Sequence, residues 1–116
     1  MEKKIVRATP GGRLRRRLAM LGLPPHMIGY EYVISAVERW RPGVMITKEL
    51  YPEVAKVYGT SFSAVEKCIR YAIKYAWDKG RYNTGVVVEQ FGVWALVTPP
   101  CASEMISSLA RWINED

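Results

Sequence analysis

The feature that most constrains the fold of this chain is a helical pattern of apolar residues over residues 61–79. At about 100° per residue, a helix here gathers apolar side chains on one face and basic and hydroxyl side chains on the other. The apolar face consists of Phe62, Val65, Ile69, Ala72, Ile73 and Ala76. Thr60 or Ser61 can cap the helix, while Ser63 and Glu66 fit a capping box that would start it slightly later. One face therefore packs into a core, and the other faces solvent.

A second helix is predicted just before it, over residues 48–58, and a tight turn joins the two. Its regular part begins near Tyr51, because Pro52 fits only the first turn of a helix. The small side chain of Ala55 allows the helices to approach closely, and Gly59 allows the sharp turn between them. This arrangement is typical of a helix-turn-helix, in which a short turn containing glycine joins two helices at a steep angle.

The rest of the chain also has mostly helical periodicity. The remaining predicted helices cover residues 13–21, 26–40 and 102–113. Residues 83–91 fit a strand or a helix, since a run of valines prefers a strand, and residues 92–97 are predicted as a short extended piece. We predict an all-α fold, a compact bundle of about six helices that contains the helix-turn-helix. Residues 13–116 form this domain and residues 1–12 form a flexible basic tail, because Pro-Gly-Gly at residues 10–12 breaks the chain.

The basic charge of the chain lies near its N-terminus. The net charge is +6, and residues 1–17 hold seven basic side chains and one acidic one, whereas residues 18–116 hold ten of each. A basic tail is typical of a protein that binds a polyanion. Nucleic acid is favoured over a membrane because residues 1–12 offer few large apolar anchors. A solvated tail with no partner stays an alternative. The predicted N-terminal arm that contacts phosphates consists of Arg13, Arg15, Arg16 and Arg17.

The exposed face of the helix over residues 61–79 carries the candidate DNA-reading residues. In helix-turn-helix proteins the second helix enters the major groove by its N-terminal residues. The predicted base-reading residues are Ser61, Ser63, Glu66, Lys67 and Arg70. Lysine and arginine donate to guanine O6 and N7, and glutamate accepts from cytosine N4. The predicted phosphate contacts, which position the protein without reading sequence, are Thr47, Lys48, Thr60, Lys74 and Arg81. The predicted function is sequence-specific binding of double-stranded DNA, and taken alone the helix also fits an ordinary solvated surface.

Other classes of protein fit the sequence less well. The sole histidine, His26, has no catalytic partner, and no nucleotide-binding or metal-binding motif is present, so neither an enzyme nor a cofactor is predicted. Cys68 and Cys101 are interpreted as reduced thiols of the core, with a disulfide as the lesser alternative. No apolar run reaches the roughly 18 residues of a membrane span, so a cytoplasmic protein is expected. A protein-interaction module that keeps the fold without binding DNA is the main alternative, and RNA binding is disfavoured.

Several stretches of the sequence also match a known pattern. They are LPPHMIGYEY at residues 23–32, ITKELYPEVAKVY at 46–58, VEKCIRYAI at 65–73 and AWDKG at 76–80. These stretches resemble the C-terminal effector domain of the stage-zero sporulation response regulator, and the likeness covers residues 14–113. The resemblance implies a six-helix domain that binds promoter DNA in spore-forming bacteria, with base contacts from the helix that holds Glu66, Lys67 and Arg70. It also implies that copies pair on tandem sites, partly through the last helix, and RNA polymerase is a further expected partner.

Two departures from the family pattern change what is expected. The regulator carries an N-terminal receiver domain, and 116 residues leave no room for one, so phosphorelay control within the chain is excluded if Met1 is the natural start. The position of Lys67 is typically arginine in the family. Because lysine lacks the planar fork of arginine, guanine readout is expected to be weaker or shifted, and the family's target sequence does not carry over.

Overall fold

The structure of the chain, a computed structural model, describes residues 10–115. Within these residues the chain forms six α-helices and no strand, which confirms the predicted all-α bundle. The helices are α1 (Pro10–Met20), α2 (Ile28–Arg39), α3 (Tyr51–Tyr58), α4 (Phe62–Lys79), α5 (Thr84–Phe91) and α6 (Ala102–Asn114). A π-helical turn at Ile46–Leu50 leads directly into α3, and a 3-10 turn at Val93–Leu96 follows α5.

The helix α2 lies at the centre of the bundle. It packs against α1, α3, α4 and α6, and eight of its twelve residues are buried, so most of its circumference is covered. Its contact with α4 is close, because a Cβ at Gly29 would lie 2.2 Å from the carbonyl oxygen of Cys68. Glycine at this position therefore sets how near α4 comes to the central helix.

The helix α4 buries the face that the sequence predicted, except at its first residue. Its buried residues are Val65, Ile69, Ala72, Ile73 and Ala76. Phe62, in contrast, is 51% exposed. It is the first residue of the helix and lies almost a full turn before the core begins at Val65. The assignment of Phe62 to the core face is therefore wrong.

The segment that fitted either a strand or a helix forms α5. The side chain of Asn83 caps this helix, since its Oδ1 accepts a hydrogen bond from the N–H of Val86 at 3.0 Å. Among residues 10–115 no strand is available to pair with a valine run, whereas the helical form buries Val87 and Phe91 in the core. Tertiary packing and the cap thus outweigh the strand preference of valine.

The extended piece predicted at residues 92–97 is wrong, because a 3-10 turn occupies Val93–Leu96. Gly92 turns the chain with φ at +103°. The indole Nε1 of Trp77 then donates a hydrogen bond of 2.7 Å to the carbonyl oxygen of Ala95, and this contact ties the turn to α4.

The first helix begins earlier than the sequence indicated. The predicted chain break at residues 10–12 lies in the first turn of α1, where proline is tolerated because the first N–H groups of a helix have no partner within it. Leu14 and Leu18 then anchor α1 in the core. Residues 1–9, most of the predicted tail, lie outside the described residues, and the tail stays a prediction.

Candidate nucleic-acid interface

A short turn joins α3 to α4 and fixes where α4 begins. Gly59 adopts φ of +67°, a left-handed conformation that suits glycine, and its N–H donates to the carbonyl of Ala55. The N–H of Thr60 donates to the same carbonyl at 3.0 Å. Ser61 caps α4, because its Oγ accepts a hydrogen bond from the N–H of Ala64 at 3.1 Å. The helix therefore starts at the serine cap and not at the later capping box, and α3, the turn and α4 form a helix-turn-helix.

One strip of α4 is open to solvent along the N-terminal half of the helix. We call it the α4 strip, and it consists of Ser63, Glu66, Lys67 and Arg70. The side chain of Arg70 is 63% exposed, and its guanidinium lies 3.7 Å from the carboxylate of Glu66. Because such an exposed ion pair contributes only about 0–1 kcal/mol, both groups can exchange this contact for the edge of a base. Burial of Val65 on the opposite side of the helix holds the strip outward.

Ser61 and Thr60 use part of their hydrogen-bonding capacity within the protein. The Ser61 hydroxyl oxygen caps α4 and also lies 3.3 Å from the Oγ of Ser63. Capping uses a lone pair and leaves the hydroxyl proton to donate elsewhere. The N–H of Thr60 is already bonded to Ala55, so its exposed hydroxyl is the group left for a phosphate. Ser61 and Thr60 therefore fix the start of α4 more than they add base-reading groups to the α4 strip.

The predicted phosphate-binding residues do not form one group. Thr47 and Lys48 are exposed on the π-helical turn, and Thr47 and Lys74 line one cavity beside the α4 strip. The carboxylate of Asp78, 2.7 Å from the Nζ of Lys74, raises the pKa of Lys74 and offsets part of its attraction for a phosphate. Arg81 follows the C-terminal end of α4. At 1.5 Å per residue it lies roughly 25 Å from the start of that helix, apart from the others.

Two of the arginines assigned to an N-terminal arm pack onto the last helix. Arg17 is only 8% exposed, and its Nε donates a hydrogen bond of 2.8 Å to the Oε1 of Gln90. The guanidinium groups of Arg13 and Arg17 lie 4.4 and 4.6 Å from the ring centroid of Trp112. Both arginines thus link α1 to α6 through cation–π contacts.

A third arginine of the predicted arm is held by α2. Arg15 donates hydrogen bonds of 3.0 and 3.1 Å to the two carboxylate oxygens of Glu31, and this two-pronged contact raises its pKa. Arg16 is exposed. The sequence analysis predicted that these arginines are available to bind phosphates. Their acidic and aromatic partners were not recognised, because they lie on helices distant along the chain.

Sequence reasoning missed an exposed apolar group around the turn. Its members are Val57, Tyr58 and Phe62. Phe62 lies between the cap Ser61 and the strip residue Ser63, at the end of α4 that is expected to enter a groove. An apolar side chain at this place can contact the C5-methyl group of thymine. The helical pattern assigned Phe62 to the core, and only its position as the first helical residue hints at its exposure.

The described residues also include possible metal-ligating side chains and the two cysteines. Within residues 10–115, no group of three or more His, Cys, Asp and Glu side chains is arranged to hold a metal ion. Cys68 and Cys101 are free thiols, but the prediction that both belong to the core is wrong, because Cys68 is half-buried and Cys101 is exposed. No helix among these residues is long and apolar enough to cross a membrane.

A comparison with models of protein families agrees with the helix-turn-helix geometry. The family model described as sporulation initiation factor Spo0A C terminal matches residues 14–113. The match runs from α1 to α6 and includes the whole helix-turn-helix. This family consists of DNA-binding regulatory domains and is not a family of enzymes. The family resemblance inferred from the sequence is confirmed, and the chain belongs to the sporulation initiation factor Spo0A C-terminal family of DNA-binding transcription regulators.

Proposed function

We propose that this chain binds double-stranded DNA in a sequence-specific manner and regulates transcription, with the N-terminal half of α4 in the major groove. The observation that carries the proposal is the exposure of the α4 strip directly after a capped helix start. A major groove about 12 Å wide admits an α-helix. The strip then faces base edges, while Val65 and the other buried residues of α4 hold the helix on the domain.

Each residue of the α4 strip has a chemical role in this proposal. Lys67 and Arg70 donate to guanine O6 and N7, Glu66 accepts from cytosine N4, and the hydroxyl of Ser63 serves either kind of base. Ser61 mainly fixes the start of the helix, and its hydroxyl can exchange the contact with Ser63 for a phosphate oxygen. Lysine at position 67 donates from a single nitrogen, so guanine preference is weaker there than an arginine would give.

Phosphate contacts position the protein around this strip. Thr47, Lys48 and Thr60 are exposed at the two ends of α3 and its preceding turn, where they can reach the DNA backbone on either side of the groove. Lys74 contributes less, since Asp78 neutralises it. Arg81 follows the far end of α4, so its proposed phosphate contact lies away from the strip. Of the four arginines on α1, Arg16 keeps the proposed arm role, and Arg15 keeps it too, because its exposed ion pair with Glu31 can be exchanged for a phosphate.

Membership of the family supports three further parts of the proposal. Two copies pair on tandem DNA sites, partly through α6, RNA polymerase is a partner, and the activity belongs to the bacterial cytoplasm. Pairing is tested by measuring binding to duplexes with one site and with two sites. A steeper binding curve on two sites supports pairing, and two identical independent sites contradict it.

The test of base reading uses alanine at the two basic residues of the α4 strip. A binding site is first selected from random duplexes with the unchanged protein. Lys67→Ala and Arg70→Ala are then compared on this site and on a scrambled duplex by fluorescence anisotropy. A bidentate contact supplies about 1–3 kcal/mol of discrimination, so Arg70→Ala should lose roughly tenfold or more of the preference. Lys67→Ala should lose less, because lysine donates from a single nitrogen.

The matched control for this test is Lys79→Ala, at the opposite end of α4. Lys79 is exposed and carries the same charge as Lys67, but it lies roughly 18 Å further along the helix. It should change affinity slightly and preference not at all. Unchanged preference in both strip variants, with unchanged thermal melting, would remove α4 as the reading helix.

A second candidate function is a protein-interaction module that keeps the fold without reading DNA. The exposure of Val93, Trp94 and Val97 around the 3-10 turn favours it, because these apolar side chains offer a surface for another protein. The two functions differ in their dependence on salt. Binding of DNA through several phosphates weakens steeply as salt rises, whereas an apolar protein interface does not.

A further inference from the structure

A cavity lies beside the α4 strip, between α4 and the start of α6. Its volume is about 460 Å³, within the range of roughly 300–1,000 Å³ that is usual for small-molecule sites. Glu66 and Arg70 belong both to its wall and to the α4 strip. The side chain of Ile73 and the consecutive prolines Pro99 and Pro100 supply apolar wall.

The hydroxyl of Tyr51 is buried in this wall without a partner. Tyr51 is only 2% exposed, and its hydroxyl makes no hydrogen bond to any residue in the described range 10–115. Buried polar groups are nearly always hydrogen-bonded, so an orphan hydroxyl indicates a missing partner. Tyr51 lines the cavity together with Glu66 and Arg70.

This hydroxyl is a hydrogen-bond donor at neutral pH. Burial, and next the negative charge of Glu66, raise the pKa of Tyr51 to about 12. The proton is therefore retained, and the natural complement in the cavity is a group that accepts a hydrogen bond.

The start of α6 also favours a group that accepts hydrogen bonds, independently of Tyr51. This helix has thirteen residues, and the side chain of its N-cap, Cys101, makes no capping hydrogen bond, although its Sγ lies 3.4 Å from the Oγ of Ser103. Cys101, Ala102 and Ser103 line the cavity. The first N–H groups of a helix point outward and, with the helix dipole, favour a negatively charged acceptor. The uncapped helix start and Tyr51 thus line one cavity.

We propose that this cavity binds a small organic anion, a carboxylate or phosphate ester with an apolar body, which regulates DNA binding. The anionic oxygens accept hydrogen bonds from the Tyr51 hydroxyl and the first N–H groups of α6, and the apolar body packs on Ile73 and the two prolines. The bound anion also draws the guanidinium of Arg70 away from DNA. The regulatory part of this proposal rests on the proposed function, because the anion can weaken DNA binding in this way only if Arg70 contacts DNA.

The binding test uses the whole chain, labelled with ¹⁵N, and two probes, benzoate and phenyl phosphate. We expect saturable shifts at the amides of Ala102 and Ser103 for at least one probe. Tyr51→Phe removes only a hydroxyl that bonds to no described residue, so it should fold and melt as the unchanged protein does. It should bind that probe about tenfold more weakly, as expected for a lost hydrogen bond to a charged group.

The matched control is Tyr32→Phe, since Tyr32 is also a buried tyrosine but does not line the cavity. It should bind the probe as the unchanged protein does. The proposal is overturned if neither probe gives a saturable shift, or if Tyr51→Phe binds as tightly as the unchanged protein. Inorganic phosphate that binds as tightly as phenyl phosphate would overturn the role of the apolar body.

A second arm separates a free anion from a phosphate of the DNA backbone. At constant ionic strength, a saturating probe should lower the DNA affinity of the unchanged protein several-fold and leave that of Tyr51→Phe unaltered. Without probe, the two proteins should bind DNA equally. Weaker DNA binding by Tyr51→Phe without probe would assign the cavity to a DNA phosphate and overturn the free-anion site. If neither the unchanged protein nor Tyr51→Phe binds DNA, both the proposed function and the regulation of DNA binding are wrong. The titration with the two probes still decides whether the cavity binds an anion.

Discussion

Replacement of Gly29 by alanine tests how tightly the central helix holds α4. An added Cβ would lie 2.2 Å from the carbonyl oxygen of Cys68 and 2.7 Å from its carbonyl carbon. Carbon and oxygen atoms approach to roughly 3.3 Å even in favourable contacts. The two helices would therefore have to separate by about 1 Å, since the obstructing atoms are backbone and cannot rotate away.

The expected loss of stability follows from this geometry. Overpacking costs roughly 1–3 kcal/mol, occasionally more, and a clash with backbone belongs at the upper end. Alanine is more favourable than glycine within a helix by about 1 kcal/mol, and this gain offsets part of the cost of overpacking. We expect Gly29→Ala to lower the free energy of unfolding by about 2–3 kcal/mol. At roughly 4 °C per kcal/mol, Tm falls by about 10 °C.

The matched control is Gly59→Ala, for which the expected loss of stability comes from the backbone conformation and not from a clash. Nothing lies within 4 Å of a Cβ at position 59, but φ is +67°. The left-handed conformation costs alanine roughly 1–2 kcal/mol, and a less flexible unfolded chain returns about 0.4–1 kcal/mol. Urea and thermal unfolding followed by circular dichroism should give about 1 kcal/mol for this variant. If Gly29→Ala proves no more destabilising than Gly59→Ala, the close approach of α2 and α4 does not constrain the fold as argued.

Three further changes test single contacts. Lys67→Arg should raise the preference for guanine several-fold by restoring a two-pronged donor, measured by anisotropy on duplexes with each base pair substituted in turn; an unchanged profile would place residue 67 away from the bases. Phe62→Ala should abolish the affinity difference, expected to be a few-fold, between duplexes with thymine and with uracil, which lacks the methyl group; a difference that persists would contradict this contact. Hydrogen bonds from Arg41 lower the pKa of Glu53 from its ordinary 4.5, so their pair stabilises the folded state fully above that value and loses this contribution as pH falls through the lowered pKa. Glu53→Gln should flatten that part of the curve of unfolding free energy as pH falls below 4.5, and an unaltered curve would refute the assignment.

The helices themselves were predictable because their signals are local. The apolar period over residues 61–79, the serine at 61 and the glycine at 59 specify a capped helix after a sharp turn, whatever surrounds them. The exposed strip follows from the same period, since burying one face of α4 leaves the other outside. The family resemblance added a fold, but the placement of each strip residue rests on this local pattern.

The features that sequence reasoning missed depend on partners distant along the chain. Arg17 was counted as free charge because nothing near it in sequence reveals Trp112 or Gln90. The turn after α5 was predicted as extended because the hydrogen bond from Trp77 that holds it comes from another helix. The orphan hydroxyl of Tyr51 was invisible for the same reason, as an absent partner can be recognised only once the surroundings are known.

The contact of Arg13 and Arg17 with Trp112 couples the outer helices of the domain. Helices near chain termini ordinarily fray one by one, each with its own small free energy of opening. Here local unfolding of α1 would expose the indole ring of Trp112, and local unfolding of α6 would leave the guanidinium groups of Arg13 and Arg17 without their aromatic partner. Amide hydrogens in α1 and α6 should therefore exchange with solvent at a shared free energy of opening, as one cooperative unit.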